Sequence, residues 1–294
     1  MNMKTTRRNA LKTLALGAAA LATDGPALLA KQPESKPSQR WKGRVNHSVC
    51  RWCFKDIPLE EFCQAVAAMG MPAIDLVGPD EWPVLKKYGL YSSMCNGAEL
   101  GLTQGWNDPQ YHEQLLKNYS EMIPKVAEAG YRNLICFSGN RNGMDDAVGM
   151  ENCVSGLEKL LPLAEKNGVL LCMELLNSKI NHPDYMCDKS PWGVELCKRL
   201  GSENFKLLYD IYHMQVNEGD VIHTIQEFHP YFAHYHTAGV PGRHEIDDSQ
   251  ELYYPAIMRA IVETGFTGYV AQEFVPKSPD KLAALAAAMK ICDV

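Results

Sequence analysis

Four short apolar runs in the second half of the chain each end in a side chain able to bind a cation or move a proton. They read Cys172-Met173-Glu174, Leu208-Tyr209-Asp210, His234-Tyr235-His236 and Ala271-Gln272-Glu273. One acid at a strand end ordinarily caps a helix or meets a lysine. Four such ends on successive strands instead deliver two glutamates, an aspartate and a histidine to one rim. Three carboxylates facing one another repel unless a proton or a cation lies between them. Oxygen donors with a single imidazole favour Mn, Mg, Co or Fe over a thiolate-type zinc site. The expectation is a divalent metal (Mn, Mg or Co) held by Glu174, Asp210, His236 and Glu273.

Elements that would position these residues follow from the hydrophobic pattern. Apolar runs rich in β-branched and aromatic residues read as strands at Val45–Cys50, Ala73–Val77, Leu90–Cys95, Asn133–Phe137, Val169–Leu175, Phe205–Asp210, Phe232–Thr237 and Tyr269–Phe274. Between them lie helical patterns at Leu59–Met69, Trp82–Tyr88, Pro109–Ala129, Met150–Asn167, Pro191–Leu200, Val221–Phe228, Tyr254–Thr264 and Pro279–Met289. Several stop at a glycine suited to a left-handed cap, among them Gly70, Gly89, Gly130, Gly168, Gly201 and Gly265. Strands joined by helical crossovers lie parallel, and eight such units close into a barrel. Of the 294 residues, setting aside the first 43 leaves 251 from Arg44 to Val294, the length of one (β/α)8 TIM barrel. A doubly wound open sheet would want a glycine-rich phosphate turn after its first strand, and Val49-Cys50-Arg51-Trp52 offers none. The expectation is an α/β protein with a single barrel domain over residues 44–294.

The chain ahead of the barrel reads as an address. Arg7-Arg8 precede an uncharged stretch from Thr13 to Thr23, with small-x-small sites at Ala20-Leu21-Ala22 and Leu28-Leu29-Ala30. That is the layout of a twin-arginine export signal over residues 1–30, followed by a Pro-containing polar linker over 31–43, and it implies a periplasmic location. Loss of residues 1–30 removes four cations and one acid, taking the formal charge from −6 to −9. An acidic surface repels nucleic acid and anionic lipid, and no apolar run has the length of a membrane span. The expected partner is a small molecule, with self-assembly left open. Ten cysteines, most inside apolar segments, read as reduced core thiols; the Cys50-Arg51-Trp52-Cys53 spacing lacks the second pair of a zinc site.

Glu174, the Asp210-Ile211-Tyr212-His213 segment, His236-Thr237-Ala238-Gly239 and Glu273 resemble the xylose-isomerase-like superfamily of sugar isomerases and epimerases. The stretch Ala238-Gly239-Val240-Pro241-Gly242-Arg243-His244-Glu245-Ile246-Asp247-Asp248, with Tyr254-Pro255 and Gly265-Phe266-Thr267-Gly268-Tyr269, is similar to hydroxypyruvate isomerases. This resemblance implies that Glu174 and Glu273, besides holding metal, are catalytic and move protons, and that His213 and Arg243 contact substrate oxygens. Hydroxypyruvate isomerases often have Gln where His236 stands, whereas ketose 3-epimerases have His. Those epimerases carry another Glu soon after the first metal Glu, where this chain reads Leu175-Leu176-Asn177-Ser178-Lys179-Ile180.

The chemistry implied is exchange of a hydroxyl and a carbonyl on adjacent carbons. A divalent ion on both oxygens lowers the cost of an enediolate, and a carboxylate on each face acts as base and then acid. Arg243 suits a substrate carboxylate, or else pairs with Glu245 or Asp247 in its own loop. His182 and His47, near strand ends, are candidates for the pocket wall. Trp52 and Trp106 are candidates for stacking on a sugar, or for core packing. Asp145-Asp146 reads as solvated surface. Three functions remain open: a hydroxypyruvate-type isomerase, an epimerase or dehydratase/lyase of a larger keto sugar, and a non-catalytic carbohydrate-binding barrel.

Overall fold

The computed structural model describes residues 41–294; the expected export signal at 1–30 and most of the expected linker at 31–43 lie outside them. The linker's last residues belong to the barrel. Trp41 donates its indole N–H to the Met69 carbonyl at 2.8 Å, and the Lys42 backbone N–H bonds Asp293 Oδ1 at 3.0 Å.

Eight parallel strands alternate with helices. The strands are β1 Asn46–Val49, β2 Ala73–Val77, β3 Tyr91–Cys95, β4 Asn133–Cys136, β5 Leu170–Glu174, β6 Phe205–Asp210, β7 Phe232–Thr237 and β8 Tyr269–Gln272. They form one sheet in the order β1-β8-β7-β6-β5-β4-β3-β2, and a single parallel bridge from Cys50 to Asp75 joins its two ends. This is the expected barrel. Apolar strand residues are covered by the helices on the outer side: Leu134, Ile135, Leu171, Cys172, Leu207 and Val270 are all essentially inaccessible.

The helices are α1 Leu59–Ala68, α2 Trp82–Lys87, α3 His112–Glu128, α4 Asp146–Leu157, α5 Leu161–Asn167, α6 Ser190–Leu200, α7 Ile211–Asn217, α8 Val221–Phe228, α9 Tyr254–Glu263 and α10 Lys281–Cys292. Two differ from the sequence pattern. The helix expected over Met150–Asn167 is two: α4 ends at Leu157 and α5 begins at Leu161, with Pro162 in its first turn, where a missing N–H costs no intrahelical bond. And α7 was not expected: Asp210 ends β6 and at once caps a helix, its Oδ1 accepting the His213 backbone N–H at 3.0 Å. None of the helices among the described residues is long and apolar enough to cross a membrane.

Candidate active site

The four strand-end residues converge at the C-terminal mouth of the barrel, the face where such folds build their sites. One ligand-type atom from each of Glu174, Asp210, His236 and Glu273 lies within 4.8 Å of the other three, and all four residues are buried. β8 stops at Gln272, but the Glu273 N–H still bonds the Thr237 carbonyl at 2.8 Å, so Glu273 continues the ladder onto the rim. His236 Nδ1 lies 2.9 Å from Glu273 Oε2, 3.3 Å from Glu174 Oε1 and 4.0 Å from Asp210 Oδ2. Glu174 Oε1 is off the hydrogen-bonding line of that nitrogen and has no partner. A rim of three acids and one imidazole with an unpartnered oxygen fits a hard divalent cation.

Behind the rim the supports are specific. Tyr185 donates its hydroxyl to the Glu174 carbonyl at 2.9 Å and accepts the Ser138 N–H at 3.1 Å. Asn177 uses Oδ1 to accept two backbone N–H groups, from Ile180 and Asn181, so its amide N–H is the side that faces His213 Nδ1, at 2.6 Å. The Asn177 backbone N–H also points at that nitrogen, 3.2 Å away. Two donors aimed at Nδ1 put the proton of a neutral His213 on Nε2. That N–H is buried, lacks a partner and stands 3.7 Å from Asp210 Oδ2. Burial, reinforced by the cationic Arg243, holds His213 well below its ordinary pKa, so it is a neutral donor at pH 7.

Arg243 does not pair with Glu245 or Asp247 as one sequence reading offered. Glu245 accepts the N–H groups of Lys277 and Ser278, and Asp247 is taken by Ser249. The Arg243 backbone instead adopts φ 59°, and its guanidinium crosses to Glu273 and, at 3.3 Å, to Asp210. It lies over the rings of Trp52 and Tyr212, 5.2 and 5.6 Å from their centroids. Trp52 in turn donates its indole N–H to Glu273 Oε1 at 2.7 Å, and so belongs to the site.

These neighbours push the acids apart. Burial alone would raise Glu273, but Arg243 and His236 overrule it and hold the carboxyl well below the usual range. Burial raises Glu174, with the charge of Glu273 adding to it. Asp210 is pushed up to about 8 by burial, Arg243 only partly opposing. Burial opposes an imidazolium at His236, yet the acidic groups around it raise its pKa well above the ordinary value.

Other sequence candidates fall elsewhere. His182 is half-buried with its ring 5.2 Å from that of His213, so it walls the site without touching the acids. His47 sits at the opposite end of β1, 3.9 Å from Asp293 and packed by Trp41, away from the mouth. Trp106 is fully buried against Tyr119 and His112, a core residue and not a lid. Asp145 caps α4 and Asp146 pairs with Arg141 Nε at 2.6 Å. All ten cysteines are buried free thiols. Asp75, Asn177 and Tyr185 escaped the sequence reading. Asp75 alone left a trace, as a lone acid in an otherwise apolar strand.

The profile of the xylose isomerase-like TIM barrel family matches residues 58–292. This chain belongs to that family. A Danio rerio protein named as a hydroxypyruvate isomerase is 31% identical over 132 residues, 45% of this chain and 48% of that protein. The chain thus spans about half the length of this relative. A 2-oxo-tetronate isomerase of Pectobacterium atrosepticum is 22% identical over 235 residues, 76% of this chain and 89% of its own. Two solved structures share the fold. A family 2 AP endonuclease of Brucella melitensis has TM-score 0.75 at 22% identity, covering 84% of this chain and 99% of that one. A 3-keto-D-glucoside 4-epimerase of E. coli has TM-score 0.71 at 17% identity, covering 84% and 98%.

Proposed function

We propose that this protein is a metal-dependent isomerase that interconverts an α-hydroxy aldehyde and a ketone, or an aldose and a ketose, through an enediolate, in the manner of a hydroxypyruvate isomerase. One observation carries the reading: two glutamates from strands three apart in the sheet converge with Asp210 and His236 while the free Nε2–H of His213 is aimed into the same space. Glu174, Asp210, His236 and Glu273 would hold manganese, magnesium or cobalt, whose positive charge would offset the charge that gathers on the two substrate oxygens.

The chain's own residues do the proton work. Glu273, paired with Arg243 and bonded by Trp52, takes the proton from carbon. Glu174, carrying a proton when Glu273 does not, returns one to the neighbouring carbon, and the two exchange roles in reverse. The His213 Nε2–H donates to the substrate oxygen as it becomes anionic, without itself adding charge. Arg243 offers a planar pair of donors to a substrate carboxylate, and Trp52 covers Glu273 from water.

A second reading is an epimerase or dehydratase/lyase acting on a larger keto sugar. It is favoured by His236, which stands where ketose 3-epimerases carry His and hydroxypyruvate isomerases often carry Gln. Deuterium incorporation from solvent, followed by NMR over hydroxypyruvate, 2-oxo-tetronate, ketohexoses and 3-keto glucosides, separates the two. Exchange confined to the short acids supports the first reading; exchange confined to the sugars supports the second. Binding with no exchange in any of them, unaffected by Glu174→Gln, leaves a carbohydrate-binding barrel. Export by the twin-arginine route is also proposed, and Arg7→Lys with Arg8→Lys should leave the protein in the cytoplasm on fractionation.

A further inference from the structure

Below the rim, inside the barrel, lies a buried polar column that the proposed reaction does not use. Asp75 on β2 is inaccessible to solvent, as are His234, His236, Ser48 and Ser93 around it. Its Oδ1 meets His236 Nε2 at 3.1 Å and the Cys50 thiol at 3.5 Å. Its Oδ2 accepts from Ser93 Oγ at 2.7 Å, and Ser93 is 2.5 Å from the hydroxyl of Ser48. His234 Nε2 lies 2.7 Å from the same oxygen, a close approach without good hydrogen-bond alignment. Thus the His236 ring is held from both sides, with Nδ1 toward the rim acids and Nε2 toward Asp75.

The backbone is bent to achieve this. The register between β2 and β3 shifts on both sides of Asp75, and Leu76, the next residue, has φ 54°. A leucine in that left-handed region is strained, and such strain persists only where the surroundings enforce it. The bulge turns Asp75 inward under His236 and puts Leu76 at the rim beside Trp52 and Asn96.

We propose that Asp75, set by the bulge at Leu76, is a positioning residue that keeps the proton of His236 on Nε2 and so presents Nδ1 to the metal. This rests on the metal-dependent reading above. An acceptor behind a ligating histidine fixes both the tautomer and the ring direction, and losing such a partner typically costs about 10–100-fold in metal affinity. A second ion among Asp75, His234 and His236 is the competing account of the column. The aligned donors on Asp75 already satisfy it, which argues for hydrogen bonds there.

Calorimetric titration of the chelator-stripped protein with manganese tests the proposal. The intact protein should bind one equivalent, Asp75→Ala should bind about 10–100-fold more weakly, and Asp75→Asn, which can still turn a carbonyl to Nε2, should recover part of the loss. Leu76→Val, which touches no rim acid but resists positive φ, should weaken binding too, while Leu76→Gly should not; this pair serves if Asp75→Ala does not fold. In 15N spectra of the magnesium-loaded protein the His236 Nε2–H should exchange slowly with solvent and be shifted by its bond to Asp75, and both marks should fade in Asp75→Ala. Manganese affinity and 15N shifts unchanged in both Asp75→Ala and Leu76→Val would overturn the role, as would two equivalents in the intact protein. No binding by the intact protein would sink the metal reading instead.

Discussion

The two halves of the barrel are built differently. Strands β5 and β6, and strands β7 and β8, pair without interruption, β6 and β7 shift register once between Leu207 and Leu208, and every rim acid and the rim histidine comes from these four strands. In the other half the pairing is thin: β3 meets β4 through Cys95 and Leu134, β1 meets β2 through Cys50 and Asp75, and β2 is bulged. That half contributes no rim acid. It supplies what stands behind and over the site: Asp75, Ser93 and Ser48 below, Trp52 beside Glu273. Groups that must converge within a few ångströms sit on the more fully paired strands, where Asp210 pairs with His236 in register up to the rim. The irregular half bends to bring supporting groups to them.

Four perturbations sharpen or break this contrast, and the largest falls on the regular half. Glu273→Gln or Glu174→Gln should lower kcat by about 10²–10⁴-fold, as loss of a general acid or base does, with the fold retained by circular dichroism. A residual rate within tenfold of the parent would remove that glutamate from proton transfer.

Next, on the irregular side, the loop after β3 makes good the thin ladder. The N–H groups of Trp106 and Asn107 bond the carbonyls of Phe137 and Ser138 at 3.2 and 2.8 Å. A Cβ on Gly105 would sit 2.3 Å from the Gly139 nitrogen, so this approach is open only to glycine. Gly105→Ala should destabilise by about 1–3 kcal/mol in urea unfolding. No change would mean that this loop does not hold β3 to β4.

Tyr185→Phe is the matched test behind β5. It strips the Glu174 carbonyl and the buried Ser138 N–H of a partner, costing about 1–3 kcal/mol. If the regular half is the more rigid, the loss should appear as stability with KM little changed.

The smallest effect concerns pH. Burial, only partly offset by Asp293, lowers the pKa of His47. The folded form therefore keeps this ring neutral while the unfolded chain protonates below about 6.5. The stability that depends on a neutral His47 is present above that pH and is lost as pH falls from 6.5 toward the lowered folded value. Melting temperature followed from pH 7.5 to 5 should decline, and His47→Gln should flatten the slope; an unchanged slope would assign the decline to other groups.

Much of this was legible before the fold was known. The strands at Ala73–Val77, Phe205–Asp210 and Phe232–Thr237 have the bounds read from their apolar runs. All six cap glycines singled out have positive φ. The four strand ends could be named because position along a strand and chemical type are both local properties. Where the reading slipped, a nonlocal contact decided. Trp52 and Trp106 look alike in sequence, yet one bonds Glu273 and the other is sealed in the core. Arg243 had acids at two and four positions along its own loop and took two from other strands.

Local pattern was enough for the barrel, its eight strands and the four residues at its mouth, because periodicity and strand-end identity are written residue by residue. It took the folded chain to settle which nitrogen of His213 carries the proton, where Arg243 goes, and that Asp75 lies under His236, 161 residues away along the chain. Each of those depends on which groups a closed sheet brings within 3 to 4 Å, and closure joins residues with no neighbourhood in sequence.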